Sequence, residues 1–264
     1  MKRLIFAIAA LSFALAAHAE VRSKEVDYHA GKLTMKGYLA WDDAIKGKRP
    51  GVLVVHEWWG HNDYARKRAR MLAEQGYTAL AVDMYGDGKH ADHPKDAGAF
   101  MNAVLATADH GRARFEAAMK TLKAQPTVDA KDLGAIGYCF GGAVVLNMAR
   151  AGLDLKAVAS FHGALGTETP AQAGKVKAKI RVYTGAADVM IPPAQVAAFK
   201  DEMGKAGADF KVVEYAGAKH SFTNPDADAL GKKFDMPIAY DAAADKDSWQ
   251  QATAFLKETL MPAK

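Results

Sequence analysis

The chain has 264 residues, half of them hydrophobic and a quarter charged, with 23 Gly, 9 Pro, one Cys and a formal net charge of +5. An apolar half with a charged quarter is ordinary for a soluble globular protein and excludes collagen-like, low-complexity and intrinsically disordered classes. One cysteine excludes an intrachain disulfide framework, and length alone leaves either one large α/β domain or two small ones.

Lys2 and Arg3 precede an apolar run from Leu4 to Ala17, interrupted only by Ser12, and Ala17-His18-Ala19 follows. A basic start, an apolar stretch and an A-x-A site predict a secretory signal peptide over residues 1–19, cleaved after Ala19, and hence a periplasmic or secreted protein. The run is shorter than the ~20 apolar residues of a membrane span. No cysteine follows the site to carry a lipid, so no stable membrane anchor is expected after cleavage. Losing Lys2 and Arg3 lowers the net charge from +5 to +3, too mild an excess to argue for a nucleic-acid partner. The densest basic cluster, Arg66-Lys67-Arg68-Ala69-Arg70, reads as the solvated face of a helix.

From residue 20 onward, short β-branched runs alternate with helical stretches, and no repeat or linker marks a boundary. Ser23–Tyr28 and Leu33–Trp41 read as strands joined by a turn at Ala30-Gly31. Gly51–His56 is a continuous apolar run of the kind buried on both faces of a parallel sheet. A helix over Asp63–Gln75, a strand over Thr78–Asp83 and a long helical region over Lys95–Ala124 follow. Leu133–Gly137 is a strand, with a helix beginning within Gly141–Ala143 and running to Arg150. Ala157–Phe161, Ile180–Thr184 and Phe210–Tyr215 are strands, with helices over Pro193–Lys205 and Asp245–Leu260. This alternation predicts a single α/β domain over residues 20–264, with a mostly parallel central sheet and helices on both faces. Ligands in such folds sit beyond the carboxyl ends of the strands.

Three residues at such strand ends form a set. Cys139 lies in Gly137-Tyr138-Cys139-Phe140-Gly141, directly between a strand and a helix. This is the thiol form of the G-x-S-x-G nucleophile elbow, where small flanking residues permit a sharp turn. The helix N-terminus points at the sulfur and favours a negative charge there. An inert thiol packed beside a Gly-rich helix start is the competing reading. Asp188 in Gly185-Ala186-Ala187-Asp188 and His220 in Gly217-Ala218-Lys219-His220 follow later strands, in the order nucleophile, acid, histidine. Taken singly, either one also fits an ordinary turn or loop.

Glu57 and Trp58 follow the Gly51–His56 strand, where a second oxyanion-hole N–H is expected from Trp58 beside that of Phe140. A carboxylate near the thiol would govern its ionisation, or act as its base once substrate displaces it. His56-Glu57…His61 mimics a zincin motif, but the histidines are five apart and His56 ends a strand, so no metal is assigned. Nor is any cofactor.

HEWWG at His56–Gly60, DMYG at Asp83–Gly86, GYCFGG, GAADVMIP and GAKHSF run in order along the chain. This series resembles the dienelactone hydrolase family of α/β-hydrolases. The resemblance implies Cys139 as nucleophile, His220 as base, Asp188 as its orienter and Glu57 as the carboxylate that governs the resting thiol. It also implies substrate-holding arginines at two positions where this chain has Asp87 and Asn224. Without those cations dienelactone itself is not the expected substrate. Trp59, Tyr85, Phe222 and His162 are the expected pocket walls.

The sequence thus predicts an exported hydrolase of small esters or lactones working through a Cys-His-Asp triad and a thioester intermediate. A non-catalytic small-molecule-binding protein that keeps the fold is the rival reading.

Overall fold

Arg49–Val55 forms β3, buried at every position because it lies inside the sheet with helices over both faces. The computed structural model describes residues 20–261. The expected signal peptide over residues 1–19 therefore lies outside the described residues. The chain opens with the antiparallel hairpin β1 (Val21–Ala30) and β2 (Leu33–Asp42), turned at Gly31 with φ +61°. β4 (Thr78–Val82), β5 (Val128–Tyr138), β6 (Ala157–Phe161), β7 (Lys179–Gly185) and β8 (Phe210–Tyr215) complete one eight-stranded sheet. Its order is β1-β2-β4-β3-β5-β6-β7-β8. β3 to β8 pair in parallel, and β2 joins β4 antiparallel, which makes the sheet mostly parallel.

Seven helices pack around it among the described residues: α1 (Asp63–Ala73), α2 (Pro94–Leu105), α3 (Ala108–Lys123), α4 (Phe140–Arg150), α5 (Pro193–Lys205), α6 (Ala227–Phe234) and α7 (Ala242–Leu260). Two apolar clusters separate the layers. Leu53, Val55, Leu80, Phe115, Leu146 and Phe199 belong to one face, and Val52, Val54, Leu72, Phe161, Phe255 and Leu256 to the other. Alternate residues of β3 thus feed opposite clusters, as the two-residue period of a strand requires.

Three expectations need correction. The helical region over 95–124 is two helices, because the chain breaks at Ala106 and Thr107 re-caps α3 by accepting the His110 N–H. α6 was not anticipated, being only eight residues long. The basic face of α1 is not wholly solvated: Lys67 is exposed, but Arg68 is 4% exposed and sits among aromatic rings. Its guanidinium lies 5.1–5.3 Å from the ring centres of Tyr64, Tyr138 and Trp249.

Candidate active site

The end of β5 and the start of α4 meet at Cys139, whose backbone has φ +52° and ψ −117°. A non-glycine residue held there costs of order 1–3 kcal/mol, so its surroundings must enforce the conformation. The flanking glycines do so. A Cβ on Gly137 would strike the Gly141 carbonyl, and one on Gly141 would strike the Val55 and His56 carbonyls. That close approach lets the Gly141 N–H donate to His56 O at 3.1 Å, fastening the elbow to the end of β3. Cys139 is the free, half-buried thiol at the N-terminus of α4.

Asp188 follows β7 in a tight turn closed by its own N–H on Gly185 O at 3.2 Å. One carboxylate oxygen accepts the Met190 N–H at 2.8 Å, which orients the other toward His220 Nδ1 at 2.7 Å. A carboxylate can only accept, so Nδ1 carries the proton and Nε2 is left for the thiol. Both side chains are buried. Burial pulls the His220 imidazole down. The charge of the Cys139 sulfur and the bond to Asp188 outweigh that and push it up to about 10. Asp188 and His220 are thus joined directly, and the Cys139 sulfur lies near enough to act on the ring.

On the other side of the elbow, Glu57 is buried with its Oε2 accepting the Asn224 amide at 2.6 Å, while Oε1 has no partner among the described residues. Burial raises its carboxyl above the usual range, opposed by the Asn224 hydrogen bond and by the charges of His220 and Arg68. Asn224, at the position where an arginine was expected, is therefore engaged in holding Glu57. Asp87, the other such position, is exposed and lies 3.6 Å from Lys89. The Trp58 carbonyl accepts the Tyr85 hydroxyl at 2.8 Å, and Phe140 occupies the first turn of α4, where backbone N–H groups have no intrahelical partner.

The expected pocket walls are placed differently. His162 and Phe222 are fully buried and offer no surface to a ligand. Tyr85 and Trp59 are 5% and 4% exposed, and Trp59 borders a cavity of about 800 Å³ on the Asn224 side. A second cavity, of about 630 Å³, runs along α4 between Val104, Leu105, Ala143, Val144, Met148 and Ala164. Its Ala143 is one turn past Cys139, donating to Cys139 O at 3.2 Å. No residue of the set lines either cavity. The only hint of the second one in the sequence is the apolar spacing of α4. Among the described residues no cluster of three or more His, Cys, Asp or Glu is arranged to hold a metal.

The dienelactone hydrolase family model matches residues 35–260. Protein usf of Aquifex pyrophilus is 31% identical over 240 residues, covering 89% of this chain and 98% of that protein. A Synechocystis protein provisionally named carboxymethylenebutenolidase is 27% identical, covering 86% of this chain and 93% of its own. Among solved structures, the dienelactone hydrolase-like promiscuous phosphotriesterase P91 from metagenomic libraries superposes with a TM-score of 0.86 at 37% identity. That match covers 90% of this chain and 98% of P91. The chain belongs to the dienelactone hydrolase family.

Proposed function

We propose that this family member, an ester or lactone hydrolase, works through Cys139 as nucleophile, His220 as acid and base, and Asp188 as the orienter of His220. The observation that carries the reading is the Asp188–His220 bond of 2.7 Å, beside which, against the pull of burial, the Cys139 sulfur and Asp188 push the imidazole pKa up to about 10. Transfer of the thiol proton to the adjacent imidazole makes the sulfur the stronger nucleophile.

In this mechanism the sulfur attacks the substrate carbonyl carbon and the carbonyl π pair moves to oxygen. The N–H groups of Phe140 and Trp58 receive that oxyanion. As the tetrahedral species collapses, the C–O bond to the leaving group breaks and His220 Nε2–H protonates the departing oxygen. From a lactone that oxygen stays tethered as a hydroxyl. Water then gives a proton to Nε2 and attacks the thioester, and the freed sulfur leaves as thiolate, regenerating the pair with a carboxylic acid released.

Asp87 and Asn224 supply no cation for a substrate carboxylate, which favours neutral esters and lactones over a dienelactone. Export with cleavage after Ala19 belongs to the same proposal; a secreted or periplasmic product beginning at Glu20 supports it, and a retained Met1 contradicts it. Hydrolysis of neutral aryl esters, small lactones and an aryl phosphotriester by wild type and Cys139→Ala tests the catalytic reading. Activity lost on substitution supports it. Equal activity in both removes Cys139 from the chemistry, and inertness of both with a retained ligand favours the binding-protein reading.

A further inference from the structure

His162 takes no part in the steps above, yet its ring is fully buried at the centre of the site, 5.3 Å from the His220 ring. The chain turns back there with φ +40°. That turn directs Nδ1 at the nucleophile's own backbone: the Cys139 N–H donates to it at 3.1 Å while also reaching Phe161 O at 3.0 Å. A backbone N–H only donates, so Nδ1 is bare and the ring proton sits on Nε2. Nε2 lies 2.8 Å from Thr223 Oγ1, three residues past the catalytic histidine. Thr223 is anchored in turn. Its carbonyl accepts Tyr64 at 3.1 Å and Arg68 at 2.9 Å, and Arg68 is paired at 2.5 Å with Asp245 of α7. One hydrogen-bonded path therefore runs from α7 through Arg68, Thr223 and His162 to the peptide N–H of the nucleophile.

We propose that His162 is a positioning residue, which sets the spacing between the Cys139 elbow and the loop carrying His220 by bonding to both as a neutral, Nε2-protonated ring. The inference rests on the triad reading. Burial, with the nearby charge of His220, holds the ring in its neutral form. Protonation of Nδ1 would set an N–H against the Cys139 N–H and break the path at its last link.

The test replaces His162 by Asn, Gln and Gly and follows p-nitrophenyl acetate hydrolysis with thermal midpoints. Asn places an oxygen where Nδ1 was and tolerates positive φ; Gln reaches only the Nε2 position, and Gly suits the backbone but accepts nothing. A misplaced reacting group costs up to about a hundredfold. His162→Asn keeps the elbow bond but drops the Thr223 link and Gln does the reverse, so each is expected to lose about tenfold in kcat, and Gly, which makes neither bond, about a hundredfold, at nearly constant KM. Wild-type kcat in Gln and Gly overturns the proposal, as does an equal loss in all three, which would mark the ring as packing alone. Should Gln or Gly fail to fold, Thr223→Val keeps the volume and removes the link; lowered kcat supports the proposal and unchanged kcat overturns it. Nitrogen NMR of the His162 ring reads the same point without hydrolysis. A bare Nδ1 and protonated Nε2 are expected, and a protonated Nδ1 overturns the proposal even if Cys139→Ala shows the triad reading itself to be wrong.

Discussion

The two halves of the site are held by different physics. The Cys139 elbow is fixed by local sterics, since the glycines at 137 and 141 pack against backbone carbonyls where no larger residue fits. The His220–Asn224 loop contains no glycine and is held by long-range polar bonds instead. Asn224 bonds Glu57, Thr223 bonds His162, and the Thr223 carbonyl takes Arg68 and Tyr64. The elbow is thus set chiefly by volume, and the loop chiefly by its distant polar partners. The proposed catalytic pair therefore has one rigid partner and one whose position depends on a buried polar network.

Three substitutions sharpen that contrast. Gly141→Ala drives a methyl into the Val55 and His56 carbonyls, and a clash with backbone belongs to the severe class of mutation, on the order of 4 kcal/mol or more. Loss of soluble protein or a collapsed denaturant midpoint is expected; near-wild-type stability would mean the elbow is not sterically set. Arg68→Met keeps bulk but leaves Asp245 without its cation and the Thr223 carbonyl with Tyr64 alone, and removing one partner of a buried pair costs about 3–5 kcal/mol. The melting midpoint should fall by about 10 °C, at roughly 2–4 °C per kcal/mol for a chain of this size. If the variant folds, its kcat and the rate at which iodoacetamide alkylates Cys139 should both fall, because the loop that positions His220 beside the thiol has been loosened.

The smallest effect is expected at Glu57→Gln, which keeps an acceptor for Asn224. A carboxyl raised in the folded state binds its proton more tightly than in the unfolded chain. Its contribution to stability is complete below the unfolded value near 4.5 and is lost as pH climbs through the raised folded value. The variant should therefore be more stable than wild type at neutral pH, with the gap closing as pH falls toward 4.5. A gap that does not change with pH would show that Glu57 titrates normally.

The elbow, the order of Cys139, Asp188 and His220, and most strands were legible because each depends on residues adjacent in sequence: small residues around a nucleophile, or apolar runs of strand length. What was not legible depends on distance. Arg68 looked like part of a solvated face because its partners Thr223 and Asp245 lie 155 and 177 residues away. His162 looked like a pocket wall because its partners Cys139 and Thr223 come from two other loops. The break between α2 and α3 had a local signal in the Thr107 cap, but no Gly or Pro marks it.

The proposed mechanism turns on acylation of the Cys139 sulfur. Brief exposure of the wild-type protein to an activated aryl acetate, an acid quench and peptide mass analysis test it directly. One acetyl group is expected on the peptide containing Cys139, absent from Cys139→Ala and accumulating in His220→Ala only slowly. Hydrolysis of the ester with no adduct on Cys139, or with the acyl group on another residue, would contradict it.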